Sequence, residues 1–221
     1  LKKGEKIELR ELLYGMLLNS GNDAAIAIAE HIGGSVEEFA SMMNKKALEI
    51  GALNTYYKNP HGLDMDGQYS TAYDLAIISA YALEKPQIAE IVKTKSKRIT
   101  GRILNNTNEM LTKYAGADGV KTGYTGRAGR CLVTSATKND FRVISVVLNC
   151  DSRTKRAQSS EKILNYVFDN YEKFVLIENN KKVKYIPVYK GTLKKIPVVS
   201  IDKVTLPLKE EEKKRIKIYV E

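Results

Sequence analysis

The chain has 221 residues, of which 43% are hydrophobic and 28% charged, a composition typical of a folded globular protein rather than a disordered one. That length is sufficient for one domain with a sizeable core and for a small second domain. No apolar run approaches the roughly 18 residues that a membrane-spanning helix requires, which excludes such a helix within these residues.

The net charge of +10 is concentrated near the C-terminus. Residues 173–221 contain 13 Lys and Arg against 6 Asp and Glu, whereas residues 1–172 contain 23 against 20. Nucleic acid is one partner that such a charge fits, but neither a recognition helix nor a sheet with interleaved basic and aromatic residues is evident. We therefore favour anionic polymers or lipid headgroups over nucleic acid.

Two helices with a break between them are predicted near the start of the chain. Apolar residues recur with helical spacing over residues 8–19, and the break follows at Ser20-Gly21-Asn22. Asp23 is a candidate N-cap for the second helix, over residues 24–32. Such a joint can point the short polar side chains of Ser20 and Asn22 into a cleft, although a plain capping turn is the alternative.

Three further helices are predicted from their start signals. Ser35 with Glu38 and Thr71 with Asp74 match the capping-box pattern, and Pro86 suits the first turn of a helix. The predicted ranges are 36–50, 72–84 and 86–92. A turn-rich loop, Asn59-Pro60-His61-Gly62-Leu63-Asp64, lies between the first two of these helices.

The middle of the chain is predicted to form strands. A hairpin is expected around Thr100-Gly101, and a turn at Ala117-Asp118-Gly119 precedes Lys121-Thr122-Gly123-Tyr124-Thr125. Two strands follow, at residues 131–136 and 141–148. The second strand is almost continuously apolar, which predicts that it is covered on both faces.

The two cysteines fall on these strands, on either side of the turn 138–140. If Ala136 lies opposite Arg142, then Cys150 lies roughly 10 Å beyond the position opposite Cys131, at about 3.3 Å per residue. A disulfide cannot bridge that offset, so both cysteines are predicted to be free thiols.

The last predicted helix covers residues 157–171 and precedes a change in character. Its inward residues are predicted to be Ile163, Leu164, Val167, Phe168 and Tyr171. After residue 172 short β-branched segments alternate with lysine-rich turns. Five strands are predicted there, at 175–177, 183–188, 196–201, 204–208 and 216–220. Pro187, Pro197 and Pro207 recur within them, as is typical of edge strands.

Three segments are together similar to one known family. They are residues 16–24, which contain Ser20-Gly21-Asn22, residues 61–70, which begin His61-Gly62-Leu63-Asp64, and residues 119–125, which contain Lys121-Thr122-Gly123. In this order and separation they resemble low-molecular-mass penicillin-binding proteins, which are serine-type D-alanyl-D-alanine carboxypeptidases. The resemblance covers residues 12–83 and 117–168.

The resemblance implies an α+β fold. Residues 1–172 would form a penicillin-binding or β-lactamase-like transpeptidase domain, an antiparallel sheet packed with helices, whose N-terminal strands are missing. Residues 173–221 would form a small β-rich domain that stops early. Without the N-terminal strands, the strand at residues 141–148 is expected to be an unpaired edge.

The resemblance also implies an acyl-enzyme mechanism on peptidoglycan stem peptides ending in D-Ala-D-Ala. A serine attacks the last peptide bond, D-alanine leaves, and water hydrolyses the ester. By resemblance, Ser20 relays protons towards the leaving amine, and Asn22 holds the substrate amide and orients the lysine that partners the attacking serine. Lys121 adds positive charge beside Ser20, and a buried lysine near other cations has a lowered pKa.

The substrate-binding residues are carried over from the same resemblance. Thr122 would hydrogen-bond the terminal carboxylate, Gly123 would let the substrate backbone approach the strand, and the Tyr124 N–H would form half of an oxyanion hole. Arg156 lies where the family has an arginine for the terminal carboxylate, with a solvated arginine at a helix start as the alternative. His61 is interpreted as a turn-stabilising residue.

The attacking serine is not found where the family has it. The family's Ser-x-x-Lys pattern precedes the turn that Ser20 matches, whereas here it occurs only after Lys121. The four occurrences begin at Ser135, Ser152, Ser159 and Ser200, and we interpret them as chance matches. We therefore expect the chain to be an inactive fragment of a longer secreted enzyme, to which its missing N-terminal segment could still be bound.

Three alternatives stay open, namely a β-lactamase-like hydrolase, a non-catalytic peptidoglycan-binding remnant and a nucleic-acid-binding module. The loop at His61 and the C-terminal β module favour a cell-wall enzyme over a β-lactamase, with β-lactams as inhibitors. His31 and His61 are the only two histidines, and neither has carboxylates at ligand spacing, so no metal and no cofactor are predicted.

Overall fold

In the computed structural model, which describes residues 1–219, the chain divides into two compact units. The first consists of residues 1–138 and 142–164, and the second consists of residues 139–141 and the chain from residue 165 onward. Within the described part of the chain, no helix combines the length and the apolar character that crossing a bilayer requires.

The helices of the first unit begin where the capping signals predict. Ser35 Oγ accepts the Glu38 N–H and Thr71 Oγ1 accepts the Asp74 N–H, both at 3.1 Å, so each side chain satisfies a backbone donor of the first turn. The helices are α1 Leu9–Asn19, α2 Asn22–Gly33, α3 Val36–Glu49, α4 Ala72–Leu83, α5 Pro86–Val92 and the short α6 Met110–Lys113. The five predicted helices are confirmed, and α6 was not predicted.

The joint between α1 and α2 lies at the predicted position but is capped differently. Ser20 ends α1 with left-handed backbone angles (φ 55°, ψ 43°), and Gly21 is the N-cap of α2. Asp23, the predicted N-cap, lies inside the first turn, where its carboxylate accepts the Ala24 N–H at 2.9 Å. The prediction was wrong because an acidic residue is equally favoured within a first turn, next to the positive end of the helix dipole.

Two sheets complete the first unit. The predicted hairpin joins β1 Ser96–Ile99 to β2 Arg102–Asn105. The larger sheet has the strand order β3-β4-β5, with β3 Ala117–Thr125, β4 Gly129–Lys138 and β5 Phe141–Cys150. The predicted turn at residues 117–119 is instead the start of β3, because the strand continues through a register shift between Ala117 and Gly119.

Strand β5 is an edge of its sheet among the described strands, as predicted. Val143, Ser145 and Val147 on one face are buried, whereas Ile144 and Val146 on the other face are only half-buried. Ile144 and Val146 nevertheless pack against an apolar cluster of Leu83, Val92, Val120 and Val133, so both faces are covered as predicted, one of them less completely. The two cysteines of β4 and β5 are free thiols, as predicted.

The helix after β5, α7 Arg153–Asn170, starts four residues earlier than predicted, and its inward face agrees with the prediction in part. Its buried residues are Arg156, Ala157, Ser160 and Leu164. Of the residues predicted inward, Leu164 is buried and Ile163 is 39% exposed, and the other three, Val167, Phe168 and Tyr171, are half-buried. Ser160 Oγ lies 2.9 Å from Thr134 Oγ1 of β4 and 2.7 Å from Ser145 Oγ of β5. Buried hydroxyl contacts therefore join α7 to the sheet beside its apolar residues.

Two apolar clusters in the core of the first unit hold the end of α1 and the middle of β3 in place. One apolar cluster joins α1 to α5 and the β1–β2 hairpin, and consists of Tyr14, Leu18, Ile91, Ile99 and Leu104. A second joins β3 and β4 to α4 and α5, and consists of Leu83, Val92, Val120 and Val133. Burying a side chain such as Leu18 completely contributes about 1.5–3 kcal/mol. Ser20 and Lys121 each follow closely after a member of these clusters.

The second unit contains two antiparallel two-stranded sheets and a short helix. Strand β6 Glu172–Ile177 pairs with β9 Val204–Leu208, β7 Lys182–Pro187 pairs with β8 Lys195–Val199, and α8 Glu210–Lys213 follows. Four of the five predicted strands are therefore confirmed. The fifth is wrong for residues 216–219, which form no strand in the described part of the chain, while Val220 lies outside the described residues.

Candidate active site

The end of α1 and the middle of β3 bring two predicted site residues into contact across 101 positions of the chain. The Lys121 ammonium nitrogen (Nζ) hydrogen-bonds the Ser20 hydroxyl oxygen (Oγ). The same nitrogen donates to the Thr122 carbonyl oxygen at 2.9 Å. The predicted pairing of Ser20 with a cation is therefore present in the fold.

The position of Ser20 depends on a close approach of backbone at Gly21. The Gly21 N–H donates to the Gly15 carbonyl oxygen at 3.1 Å, which ties the joint back onto α1. A Cβ at position 21 would lie 3.2 Å from that same carbonyl oxygen and 3.2 Å from the Asp23 carboxylate, which is tighter than ordinary contact. Glycine therefore fits this position, and the turn directs the preceding Ser20 hydroxyl towards Lys121.

Lys121 has surroundings that suit proton transfer. Desolvation in this half-buried position lowers the pKa of Lys121 from its usual 10.5 to about 8, and the positive charge of Arg156 acts in the same direction. At pH 7 the amine is mostly protonated, yet losing a proton costs only about 1.4 kcal/mol per pH unit below that pKa. The lysine can therefore exchange a proton with Ser20 near neutral pH.

Thr122 has a hydroxyl partner that the sequence did not reveal. Its Oγ1 lies 2.7 Å from Thr107 Oγ1, and the Thr107 N–H donates to the Leu18 carbonyl oxygen at 3.0 Å. Thr107 thereby connects β3 to the last turn of α1. No local signal marks Thr107, because it lies in a polar segment after the β1–β2 hairpin.

Gly123 and Tyr124 present an open part of β3. A Cβ at Gly123 would meet only Cys131 Cβ, at 3.8 Å, so nothing within the described chain requires a glycine there. The Tyr124 ring is 61% exposed, and the Arg130 guanidinium carbon lies 4.5 Å from its centroid. A glycine that packing does not need, on an exposed strand, is compatible with an extended ligand that approaches the backbone from outside.

Asn22 lies at the joint, two residues after Ser20, in the first turn of α2. Among the described residues, no hydrogen bond connects the Asn22 side chain to Ser20 or Lys121. Its role in holding a substrate amide stays a prediction.

Arg156 is not the solvated arginine of the alternative interpretation, because only 4% of its side chain is exposed. Its guanidinium donates to both carboxylate oxygens of Glu109, at 2.8 and 2.6 Å, and to the Cys131 carbonyl oxygen at 3.3 Å. Cys131 pairs with Gly123 across the sheet, so this charge lies one strand away from the open part of β3. Direct binding of a substrate carboxylate by Arg156 stays a prediction, since Glu109 already occupies the guanidinium.

The loop at His61 supports the turn between β3 and β4. His61 Nδ1 accepts the Leu63 N–H at 3.2 Å, which fits the turn-stabilising interpretation. Thr125 Oγ1, at the end of β3, donates to the Asp64 carboxylate at 2.8 Å. Arg127, within the turn, donates to the Asp66 carboxylate at 3.1 Å. Sequence reasoning missed both contacts, which join residues 61 positions apart.

The serines of the four Ser-x-x-Lys matches occupy four separate positions in the fold. Ser135 is fully buried within β4, Ser152 and Ser159 are half-buried at the start and within α7, and Ser200 belongs to the second unit. Among the described residues, no hydrogen bond connects any of them to Ser20 or Lys121.

Comparison with known proteins places the chain in a family. Residues 1–152 match the family model described as D-alanyl-D-alanine carboxypeptidase, and residues 171–221 match the model of the penicillin-binding protein 5 C-terminal domain. The chain belongs to the D-alanyl-D-alanine carboxypeptidase family, and its predicted α+β fold with a small C-terminal β domain is confirmed.

Individual relatives agree with this assignment. The chain is 40% identical to the D-alanyl-D-alanine carboxypeptidase DacF of Bacillus subtilis, over 99% of this chain and 59% of the relative. It is 33% identical to DacD of Escherichia coli, over 98% of this chain and 56% of the relative. The chain thus spans less than two thirds of these curated relatives.

Solved structures agree as well. Penicillin-binding protein 5 of Haemophilus influenzae superposes with a TM-score of 0.90 at 34% identity, over 98% of this chain and 64% of that one. A mutant of the Streptomyces K15 DD-transpeptidase superposes with a TM-score of 0.73 at 37% identity, over 76% of this chain and 71% of that one.

Proposed function

We propose that this protein removes the terminal D-alanine from peptidoglycan stem peptides through an acyl-enzyme formed on an attacking serine. We also propose that β-lactams inhibit it by acylating that attacking serine, which is not Ser20. The observation that carries the proposal is the hydrogen bond between Lys121 and Ser20, at a lysine whose pKa is about 8. The names of the relatives, which are D-alanyl-D-alanine carboxypeptidases, support the same substrate class.

In this proposal Ser20 and Lys121 protonate the leaving group. When the attacking serine has formed the tetrahedral intermediate, the nitrogen of the departing D-alanine needs a proton. Ser20 donates its hydroxyl proton to that nitrogen, and the Lys121 ammonium replaces it through the existing hydrogen bond. The lowered pKa of Lys121 makes the second transfer inexpensive near neutral pH.

The substrate would lie along the open part of β3. Thr122 supplies a hydroxyl for the terminal carboxylate, with Thr107 as its second partner. The N–H of Tyr124 would stabilise the oxyanion, and Gly123 gives the peptide close access. Arg156 would contribute to binding the terminal carboxylate only by exchanging its buried partner Glu109 for the substrate.

The attacking serine is proposed to come from a segment outside these 221 residues. None of the four Ser-x-x-Lys matches has a hydrogen bond to the Ser20–Lys121 pair, and each has a structural position of its own. We propose that this segment, covalently attached or bound as a separate piece, completes the cleft. We also propose a location in the cell envelope, outside the cytoplasm, with a role in wall maturation and cell shape.

Intact mass spectrometry after incubation with benzylpenicillin tests the proposal. The 221-residue chain alone should gain no adduct, whereas a longer form that carries a Ser-x-x-Lys segment should gain one penicilloyl group per molecule. The longer form should also release D-alanine from a peptide ending in D-Ala-D-Ala. Binding of that peptide without release would instead indicate a non-catalytic remnant, and rapid release of hydrolysed penicillin would indicate a β-lactamase.

A further inference from the structure

The β7–β8 hairpin of the second unit carries several positive charges and no negative one. This hairpin, residues 182–199, which we call the basic ribbon, contains no acidic residue and five lysines: Lys182, Lys184, Lys190, Lys194 and Lys195. Within residues 1–219, the second unit's ion pairs use Lys203 and Lys213 and none of Lys182, Lys190, Lys194 or Lys195. The charge of the ribbon is therefore largely uncompensated within the described chain.

One face of the basic ribbon interleaves lysine with tyrosine. Lys182 Nζ lies 4.7 Å and Lys195 Nζ 4.8 Å from the centroid of the Tyr185 ring, and Lys182 Nζ donates to the Tyr185 hydroxyl at 3.1 Å. The sequence prediction that no sheet interleaves basic and aromatic residues is wrong here. It failed because Lys195 comes from the neighbouring strand, ten residues further along the chain.

The tip of the basic ribbon exposes large apolar side chains among the lysines. Tyr189 is 90% exposed and Leu193 is 62% exposed. Lys190 Nζ lies 5.6 Å from the centroid of the Tyr189 ring, and Lys194 follows Leu193 directly. Leaving both apolar side chains in water is unfavourable, so the tip has the composition of a contact surface.

We propose that the basic ribbon docks onto an anionic lipid bilayer, with its tip in the headgroup region. Lysine ammonium groups contact anionic headgroups, while tyrosine rings favour the boundary between headgroups and acyl chains. Leu193 would enter the acyl boundary, and the lysine stems would lie along it with their ammonium groups outward. This inference uses contacts of the second unit alone and does not rest on the carboxypeptidase proposal.

Two other occupants fit the ribbon less well. A soluble polyanion such as polyphosphate or a nucleic acid would pair with the lysines but would leave Leu193 in water. A second copy of the chain would bring two sets of five lysines together, with strong repulsion. Only a bilayer of anionic lipids offers negative charge and an apolar layer side by side.

The charge requirement can be tested by sedimentation of the protein with vesicles of phosphatidylcholine containing about one third phosphatidylglycerol. The triple variant Lys190→Gln, Lys194→Gln and Lys195→Gln should bind about 100-fold more weakly, since each lysine near such a surface contributes roughly fivefold. A matched control, Lys3→Gln, Lys45→Gln and Lys113→Gln, removes three exposed lysines of the first unit and should bind within twofold of the parent. Equal losses in both variants would overturn the proposal.

The apolar requirement can be tested at the tip. Replacing Tyr189 and Leu193 by serine should weaken vesicle binding about tenfold and leave binding to soluble polyphosphate and to a single-stranded oligonucleotide unchanged. Because both side chains are largely exposed, the thermal midpoint should not change. Vesicle binding that is unaffected by this change, or is weaker than polyphosphate binding, would identify a polyanion site instead.

Insertion can be observed directly because the chain contains no tryptophan. In the variant Tyr189→Trp, the emission should shift to shorter wavelength when anionic vesicles are added. A control variant, Tyr73→Trp, places the reporter at a position of the first unit that is 73% exposed and should show no shift. No shift in either variant, or an equal shift in both, would contradict docking through the tip.

Discussion

Lys121 and the lysines of the basic ribbon are the same side chain in opposite surroundings. Lys121 is half-buried, contacts Ser20 and lies near Arg156, so its pKa falls to about 8. Lys182 and Lys195 lie against the exposed Tyr185 ring, where water still solvates their ammonium groups. Desolvation lowers the pKa of a lysine so that it can transfer a proton near neutral pH. A solvated lysine stays charged and acts by attracting anionic groups. Substitutions in the two regions should therefore change different measurements.

The largest effect is expected from Lys121→Met, made in the proposed longer form that carries a Ser-x-x-Lys segment. Without an ammonium group to replace the proton that Ser20 donates, kcat/KM for D-alanine release should fall about 1,000-fold, within the range for general acid catalysis. Vesicle binding should not change. Lys113→Met, at an exposed lysine of the same unit, is the control and should keep full activity. A loss smaller than tenfold would show that Lys121 is not the proton source.

The second-largest effect is expected on the free energy of unfolding, in the variant Glu109→Gln. This change leaves the Arg156 guanidinium buried with one carboxylate fewer, so the free energy of unfolding in urea should fall by about 3 kcal/mol. The unbalanced charge should also lower the pKa of Lys121 further. Glu161→Gln, at an exposed position on α7, is the control and should change stability by less than about 0.5 kcal/mol. Similar losses in both variants would mean that the buried ion pair is unimportant.

The third effect is the pH dependence of turnover. Since the proposed relay needs Lys121 in its protonated form and the pKa of Lys121 is about 8, D-alanine release should be constant below that pH and fall about tenfold per unit above it. An ordinary lysine would keep its proton to about pH 10.5, so a decline beginning near that value would contradict the desolvated environment. In Glu109→Gln the decline should begin at lower pH, which tests the coupling between Arg156 and Lys121.

The smallest effect is expected from Asp64→Asn. It weakens the hydrogen bond from Thr125 Oγ1 that supports the end of β3, so KM for the peptide should rise about three- to fivefold with little change in kcat. Asp66→Asn is the matched control, because the Asp66–Arg127 pair is highly exposed and contributes little. An equal change in both variants would indicate a general effect of charge on the loop.

The sequence predicted those features that depend on local patterns. Helix starts at Ser35 and Thr71 follow from capping within one turn, and the joint at Ser20-Gly21 follows from the end of an apolar period. The contact between Lys121 and Ser20 was predicted because a family motif marks each of the two residues. Local patterns failed where one pattern fits two structures. Asp23 fits both the N-cap and the first turn of α2, and it lies in the first turn.

The contacts that the sequence could not predict join residues far apart in the chain. Glu109 and Arg156 are 47 positions apart, and Asp64 and Thr125 are 61 apart, with no repeated spacing to connect them. The burial of Ser160 on α7 was not predicted, because it depends on hydroxyls of two neighbouring strands and not on the hydrophobicity of the helix.

At Ser20 the left-handed backbone makes stability and the proposed activity favour different residues. A non-glycine residue at φ 55° carries a conformational cost of about 1 kcal/mol, which Ser20→Gly would relieve. Because glycine has no hydroxyl, the more stable variant would also lose the proposed proton relay. A library screened only for survival on heating should therefore accumulate glycine at this position and lose turnover, unless D-alanine release is selected in parallel.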